Sequence, residues 1–156
     1  MVLRGRWTLT AFLARGACAE VWAVSCDAAT AKFERRDAQT GWVAKLCAEP
    51  PFRSAADKKK KKRKASPEEL AASTISWEHS LYHGILRGHP AVPQMPLRDG
   101  YGEAINGLRF LVMERLGPTL LDHFEAQGRR FAPPLLADYG RQMLVCLREC
   151  HARKLL

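Results

Sequence analysis

Apolar and polar positions alternate along Arg6 to Leu13 (RWTLTAFL). Trp7, Leu9, Ala11 and Leu13 fall on one side and Thr8 and Thr10 on the other, which predicts a strand with one buried face. A small-residue segment, Ala14 to Ala19, separates it from a second β-like run, Glu20 to Cys26 (EVWAVSC). A polar turn region ends at Thr40-Gly41, and a third run follows at Trp42 to Cys47 (WVAKLC). Three short apolar runs with turn-rich spacers read as an antiparallel meander.

The pattern then changes period. Ala48 to Ala65 reads as a loop, with Pro50, Pro51 and a run of like charges that repel one another. Ser66-Pro67-Glu68-Glu69 is a helix start: Ser66 caps, Pro67 suits the first helical position and Glu69 completes the S-x-x-E box. Leu70, Thr74, Trp77, Leu81 and Ile85 recur at steps of three or four and predict the buried face of that helix. Gly84 inside it costs up to ~1 kcal/mol, and Gly88 is a stop. Val92 to Arg98 and Leu108 to Met113 read as two further strands, with Asn106-Gly107 as a hairpin turn. Gly117-Pro118 breaks the chain. Thr119 with Asp122 starts a short helix that Gly128 closes, and Pro133-Pro134 opens a last one. Leu136, Tyr139, Met143, Cys146, Leu147 and Cys150 form its apolar stripe.

Length and charge narrow the reading. The chain has 156 residues, room for about one domain, with 47% hydrophobic and 26% charged content. That composition is globular, and excludes a mostly disordered chain or a disulfide-dense miniprotein. The formal net charge is +9, but seven of the positive charges lie in one run, Lys58 to Lys64 (KKKKKRK). The rest is nearly neutral, so this is a domain carrying one basic patch and not a uniformly basic nucleic-acid binder. Five scattered cysteines without a CxxC pair fit a reduced compartment; the first ten residues lack the apolar core of a signal peptide, and no stretch approaches the ~18 apolar residues of a membrane span. A cytoplasmic or nuclear location is the expectation.

The order of elements is three strands, a helix, two strands, then helices. Leu13-Ala14-Arg15-Gly16-Ala17-Cys18-Ala19-Glu20-Val21 lies where a phosphate-binding hairpin would be, and Val43-Ala44-Lys45 is similar to a V-A-x-K segment. Glu78 stands on the following helix, and LVMERLGPTL runs from the fifth strand into the break. On these residues the chain resembles the N-terminal lobe of a protein kinase, and is more similar to the casein kinase I and vaccinia-related kinase group than to kinases at large. The resemblance implies an α+β fold: a five-stranded antiparallel sheet with one helix over residues 1–117, carrying a basic insertion at 50–65. The first helices of an incomplete second lobe would follow over 118–156.

The resemblance also implies roles. ATP presents an adenine edge and a polyanionic tail. Glu114 and Leu116 would hold the edge through their backbone groups, while Leu13, Val21 and Ala44 sandwich the ring and Met113 closes the back. Gly16 would sit under the phosphates. Lys45 would reach the α- and β-phosphates, and Glu78 would keep it charged and oriented. The implied reaction, in a complete chain, is phosphoryl transfer from Mg-ATP to a serine or threonine hydroxyl of a protein.

Departures from the pattern shape the expectation. Ala14 and Ala19 replace two of the three loop glycines, and Cys18 stands where an aromatic residue is usual. Alanine resists positive φ and adds a methyl group near the phosphates, so a looser grip is expected. The sequence ends at Leu156, before an H-R-D loop or a D-F-G segment. With the catalytic aspartate and both magnesium ligands missing, this polypeptide alone is expected to be inactive, and Leu136, Met143 and Leu147 to face solvent or a partner. The alternative is a pseudokinase-like scaffold recruiting partners through the basic loop and that helix face. Lys58 to Lys64 reads as an import-receptor signal, a polyanion contact or simply a solvated insertion. His79 and His83 have i, i+4 spacing but no third ligand nearby, and Cys146 and Cys150 fit core packing. His151 reads as structural.

Overall fold

The structure, a computed structural model, describes residues 1–16, 19–34, 41–48, 67–103 and 107–155; of 48 and 67–73 only the backbone is described. Cys18, Lys58 to Lys64, Ser66 and Asn106, for which the sequence sets expectations, lie outside these residues. The fold is mixed α+β and forms two compact units, Met1–Gly88 with Val92–Arg115, and His89–Ala91 with Leu116–Leu156. Among the described residues no helix is long and apolar enough to cross a membrane.

The first unit is built on an antiparallel sheet of six strands, β1 (Val2–Leu3), β2 (Trp7–Arg15), β3 (Glu20–Cys26), β4 (Trp42–Ala48), β5 (Tyr101–Glu103) and β6 (Leu108–Glu114), in the order β1-β2-β3-β4-β6-β5. The sequence expectation of five strands is corrected to six. The additional strand is the two-residue β1, too short to show any period, which folds back on Trp7 and Thr8.

Strand parity sorts the core into two faces. Leu3, Trp7, Val24, Trp42, Ala44, Leu46, Phe110 and Val112 pack on one, with the Trp7 and Trp42 rings edge-on at 5.4 Å. Val43, Cys47, Leu111 and Met113 pack on the other, where Ile75 of helix α2 (Pro67–Ser80) closes over them. β2 keeps its alternation only at its start. Irregularities between Leu9 and Ala11 and between Phe12 and Ala14 break the two-residue period, so Leu13 is 40% exposed instead of continuing the buried face of Trp7 and Leu9.

Three further expectations are corrected. The helix buries a different face: Ile75 is 1% exposed and Leu86 6%, whereas Trp77 is 60% exposed and Thr74 and Ile85 also face outward. An apolar stripe drawn through Trp77 leaves out Glu78, yet it is Glu78 that the fold turns inward. After Ser80 the helix widens into a π-helical turn, Leu81–Ile85, and Gly88 ends it at φ +72°. Val92 to Arg98 is not a strand. Pro93 and Pro96 lack the N–H donors a ladder requires, and the segment is fastened by single bonds instead. Glu114 N–H donates to the Gln94 carbonyl at 2.8 Å, and Leu97 N–H donates to the Glu34 carboxylate. The strand partner of β6 is Tyr101–Glu103. Gly100 is required there by close approach, because a methyl group on it would lie 2.4 Å from Pro96 Cγ.

Helix α1 (Ala28–Glu34) occupies part of the spacer read as polar turn. Asp27 starts it by accepting the Thr30 N–H at 2.7 Å and its hydroxyl at 3.0 Å, which holds the Asp27 carboxyl below its usual range.

The second unit holds helices α3 (Leu120–Ala126) and α4 (Pro133–Ala152). Thr119 and Asp122 form a reciprocal capping box on α3, and Gly128 ends the turn after it at φ +69°. Phe131 meets Phe124 at 5.2 Å and Tyr139 at 5.3 Å, both edge-on. His89 Nδ1 accepts the Ala91 N–H, and its Nε2 lies 2.5 Å from the Glu149 carboxylate. Leu136, Met143 and Leu147 are exposed on α4.

Candidate functional site

The site grows from the row of residues that the sheet register places side by side. Val21 of β3 lies opposite Lys45 of β4, and Lys45 lies opposite Leu111 of β6. Directly paired residues project to the same face. Two positions along, Val43 lies opposite Met113. One face of the sheet therefore presents a cation set among Val21, Val43, Leu111 and Met113.

Glu78 of α2 meets that cation. Lys45 Nζ lies 2.9 Å from one Glu78 oxygen and 2.7 Å from the other. The side chains are 29% and 22% exposed, so the pair is half-buried and neither partner is freely solvated. A charged lysine in that setting is stabilised by the carboxylate opposite it, and its direction is fixed by two bonds. Tyr82, one helical turn beyond Glu78, packs against the same cluster. Burial and the Glu78 carboxylate push its phenol up, and Lys45 offsets part of this.

Among the expected site residues, Val21, Lys45, Glu78 and Met113 share this face. Ala44 does not. It is fully buried in the opposite face with Trp42 and Leu46, because adjacent strand residues point to opposite sides. Val43 stands where Ala44 was expected. The residue that shares a face with Lys45 is two positions before it, a signal present in the strand period itself. Leu13 is partly exposed beside the irregularity in β2. Gly16 follows the end of β2, and its N–H donates to the Ala19 carbonyl at 2.8 Å.

Glu114 ends β6. Its carboxylate accepts the Gln94 N–H at 3.0 Å while its own N–H donates to the Gln94 carbonyl at 2.8 Å. Arg115 N–H donates to Gly41 at 3.0 Å. The strand end is thus fixed from both sides, with Gln94 a support that nothing in the sequence pattern marks. Leu116 opens the second unit.

The two helical histidines are occupied by packing. The His79 ring stacks on Tyr101 at 4.0 Å and faces His83 at 5.3 Å. Burial, then the charge of His83, hold His79 below its ordinary value. Among the described residues no group of three or more His, Cys, Asp or Glu side chains gathers into a metal site. Tyr101 also bonds Ser76 at 2.8 Å, and Arg109 donates to Ser76 at 2.8 Å, which fastens α2 to β5 and β6.

No protein-family model matches the chain. It is 36% identical over 74 residues, 47% of its length, to casein kinase I homolog 3 of Schizosaccharomyces pombe. It is 33% identical over 94 residues, 60% of its length, to casein kinase I homolog 2 of Saccharomyces cerevisiae. The chain is similar to casein kinase I homologues. In each case it spans 16% of the relative's length. The similarity supports a kinase-related origin, and the six-stranded α+β unit with its Lys45–Glu78 pair is consistent with an N-lobe-like fold.

Proposed function

We propose that the first unit is the ATP-binding portion of a protein related to serine/threonine kinases, with 1–117 as the nucleotide lobe and 118–156 as the start of a second lobe. The observation that carries this reading is the bidentate contact of Glu78 with Lys45 among the apolar side chains of Val21, Val43, Leu111 and Met113. Such a lysine has one free direction, outward from the carboxylate, and a triphosphate is the ligand whose charge answers it. Val21, Val43 and Met113 offer the adenine ring a dry surface, and Gly16 follows the strand end that approaches the phosphates. The Glu114 backbone would take the adenine edge. Bound Mg-ATP would supply the transferable phosphoryl group; this unit's residues bind and orient it. Partial similarity to casein kinase I homologues supports the same class.

The test is a thermal-shift titration of the whole chain with ATP, with and without magnesium. ATP is expected to raise the melting temperature, and Lys45→Met to abolish the rise while leaving the chain folded. A wild-type chain indifferent to millimolar ATP overturns the reading.

A further inference from the structure

The base of the hairpin between β2 and β3 carries a cluster of paired side chains beside its backbone ladder. Arg15 and Glu20 are direct cross-strand partners at its base, and their guanidinium and carboxylate form an ion pair. The other Glu20 oxygen accepts the Trp22 indole N–H at 3.0 Å, and the Trp22 ring takes Phe12 edge-on at 5.4 Å. Trp22 N–H and Arg15 together hold the Glu20 carboxyl below its usual range.

Parity places this cluster on the far side of the sheet from Lys45. Glu20 and Trp22 alternate with Val21, and Val21 shares its face with Lys45. Arg15 is therefore not a second cation for the ligand of Lys45; its partner is Glu20. Meanwhile Ala14 and Gly16 have no φ in the left-handed region. A Cβ on Gly16 would meet only the Ala19 carbonyl oxygen, at the ordinary contact distance of 3.6 Å. The conformation around Gly16 is thus open to alanine.

We propose that Arg15 and Glu20, braced by Trp22, are positioning residues that hold the two strand ends in register for a nucleoside triphosphate on the opposite face, in place of the glycines this hairpin lacks. This rests on the ATP reading above and adds residues that act through the backbone without touching the ligand.

The experiment measures ATP affinity of the whole chain as wild type, Arg15→Gln, Glu20→Gln and the charge-swapped double variant Arg15→Glu/Glu20→Arg. Exchange of the Gly16 amide is followed in the same samples without ATP. Glu20→Gln and Arg15→Gln are each expected to weaken ATP about two- to fivefold, the size of an exposed ion pair, and to speed Gly16 exchange. The swapped pair should recover to within about twofold, the difference shrinking at high salt. Glu20→Gln that binds ATP with wild-type affinity overturns the positioning role. A wild type silent to ATP overturns the nucleotide reading instead. The brace is then judged by exchange alone, and unchanged Gly16 protection in Glu20→Gln overturns it.

Discussion

Val43 and Met113 stand directly opposite one another on neighbouring strands, on the sheet face that carries Lys45. Ala44, between Val43 and Lys45 in sequence, points the other way into the tryptophan-rich core. Contact with a nucleotide should follow this division. Val43→Ala is expected to weaken ATP severalfold with little change in fold. Ala44→Gly should lower stability by about 0.5–1 kcal/mol and leave ATP affinity unchanged. Paired calorimetric titrations and urea melts check both; an affinity loss confined to Ala44→Gly would reverse the assignment.

Glu78 keeps Lys45 directed with two hydrogen bonds. Glu78→Gln retains the shape but removes the charge that balances the ammonium. Stability should fall by about 1 kcal/mol, which lowers the melting temperature by about 2–4 °C in a chain of this size. The ATP-induced rise should shrink with it. Differential scanning calorimetry with and without ATP gives both numbers.

His79 supplies a pH dependence. Burial and the neighbouring His83 hold it below its ordinary 6.5, so on acidification the unfolded chain takes up the proton first. Stability associated with His79 is full above about pH 6.5 and is lost as pH falls below that value. His79→Phe keeps a flat ring against Tyr101 and cannot titrate. Its melting temperature should drop less than that of the wild type between pH 7.5 and pH 5.5, and equal drops would show that His79 is not the sensor.

The rotation of α2 has its own check. Ile75 is 1% exposed and Trp77 60%. Ile75→Ala should cost about 2–4 kcal/mol, and Trp77→Ala should stay within about 0.5 kcal/mol of wild type. Equilibrium denaturation of the two variants decides between the observed face and the one drawn through Trp77.

Short apolar runs between turn-rich spacers bring much of the fold into view: Glu20 to Cys26 and Trp42 to Cys47 are legible because strands of a sheet's interior bury residues on both faces. The caps of α3 and the start of α4 were legible from Thr119, Asp122 and the Pro133-Pro134 pair. Three things were hidden. Val92 to Arg98 is apolar enough for a strand, but its prolines remove the donors, and what fastens it is tertiary contact with Glu114 and Glu34. The α2 face was misread because a carboxylate inside an interior stripe looks like a solvent residue until its lysine is known. β1 is too short to have a period. The order of elements singles out Lys45 and Glu78, and the structure brings the two together. Ala44 is singled out beside them, but strand parity turns it to the opposite face and puts Val43 on the face of Lys45.

Neither Ala14 nor Gly16 lies in the left-handed region. Selection at Ala14 therefore acts on the ladder's charge pairing and not on the absence of a side chain. Related chains should tolerate serine or glycine at position 14 while resisting the independent loss of either charge at 15 and 20. Counting glycines would pass over Arg15 and Glu20, whereas looking for opposite charges at facing strand ends brings them together.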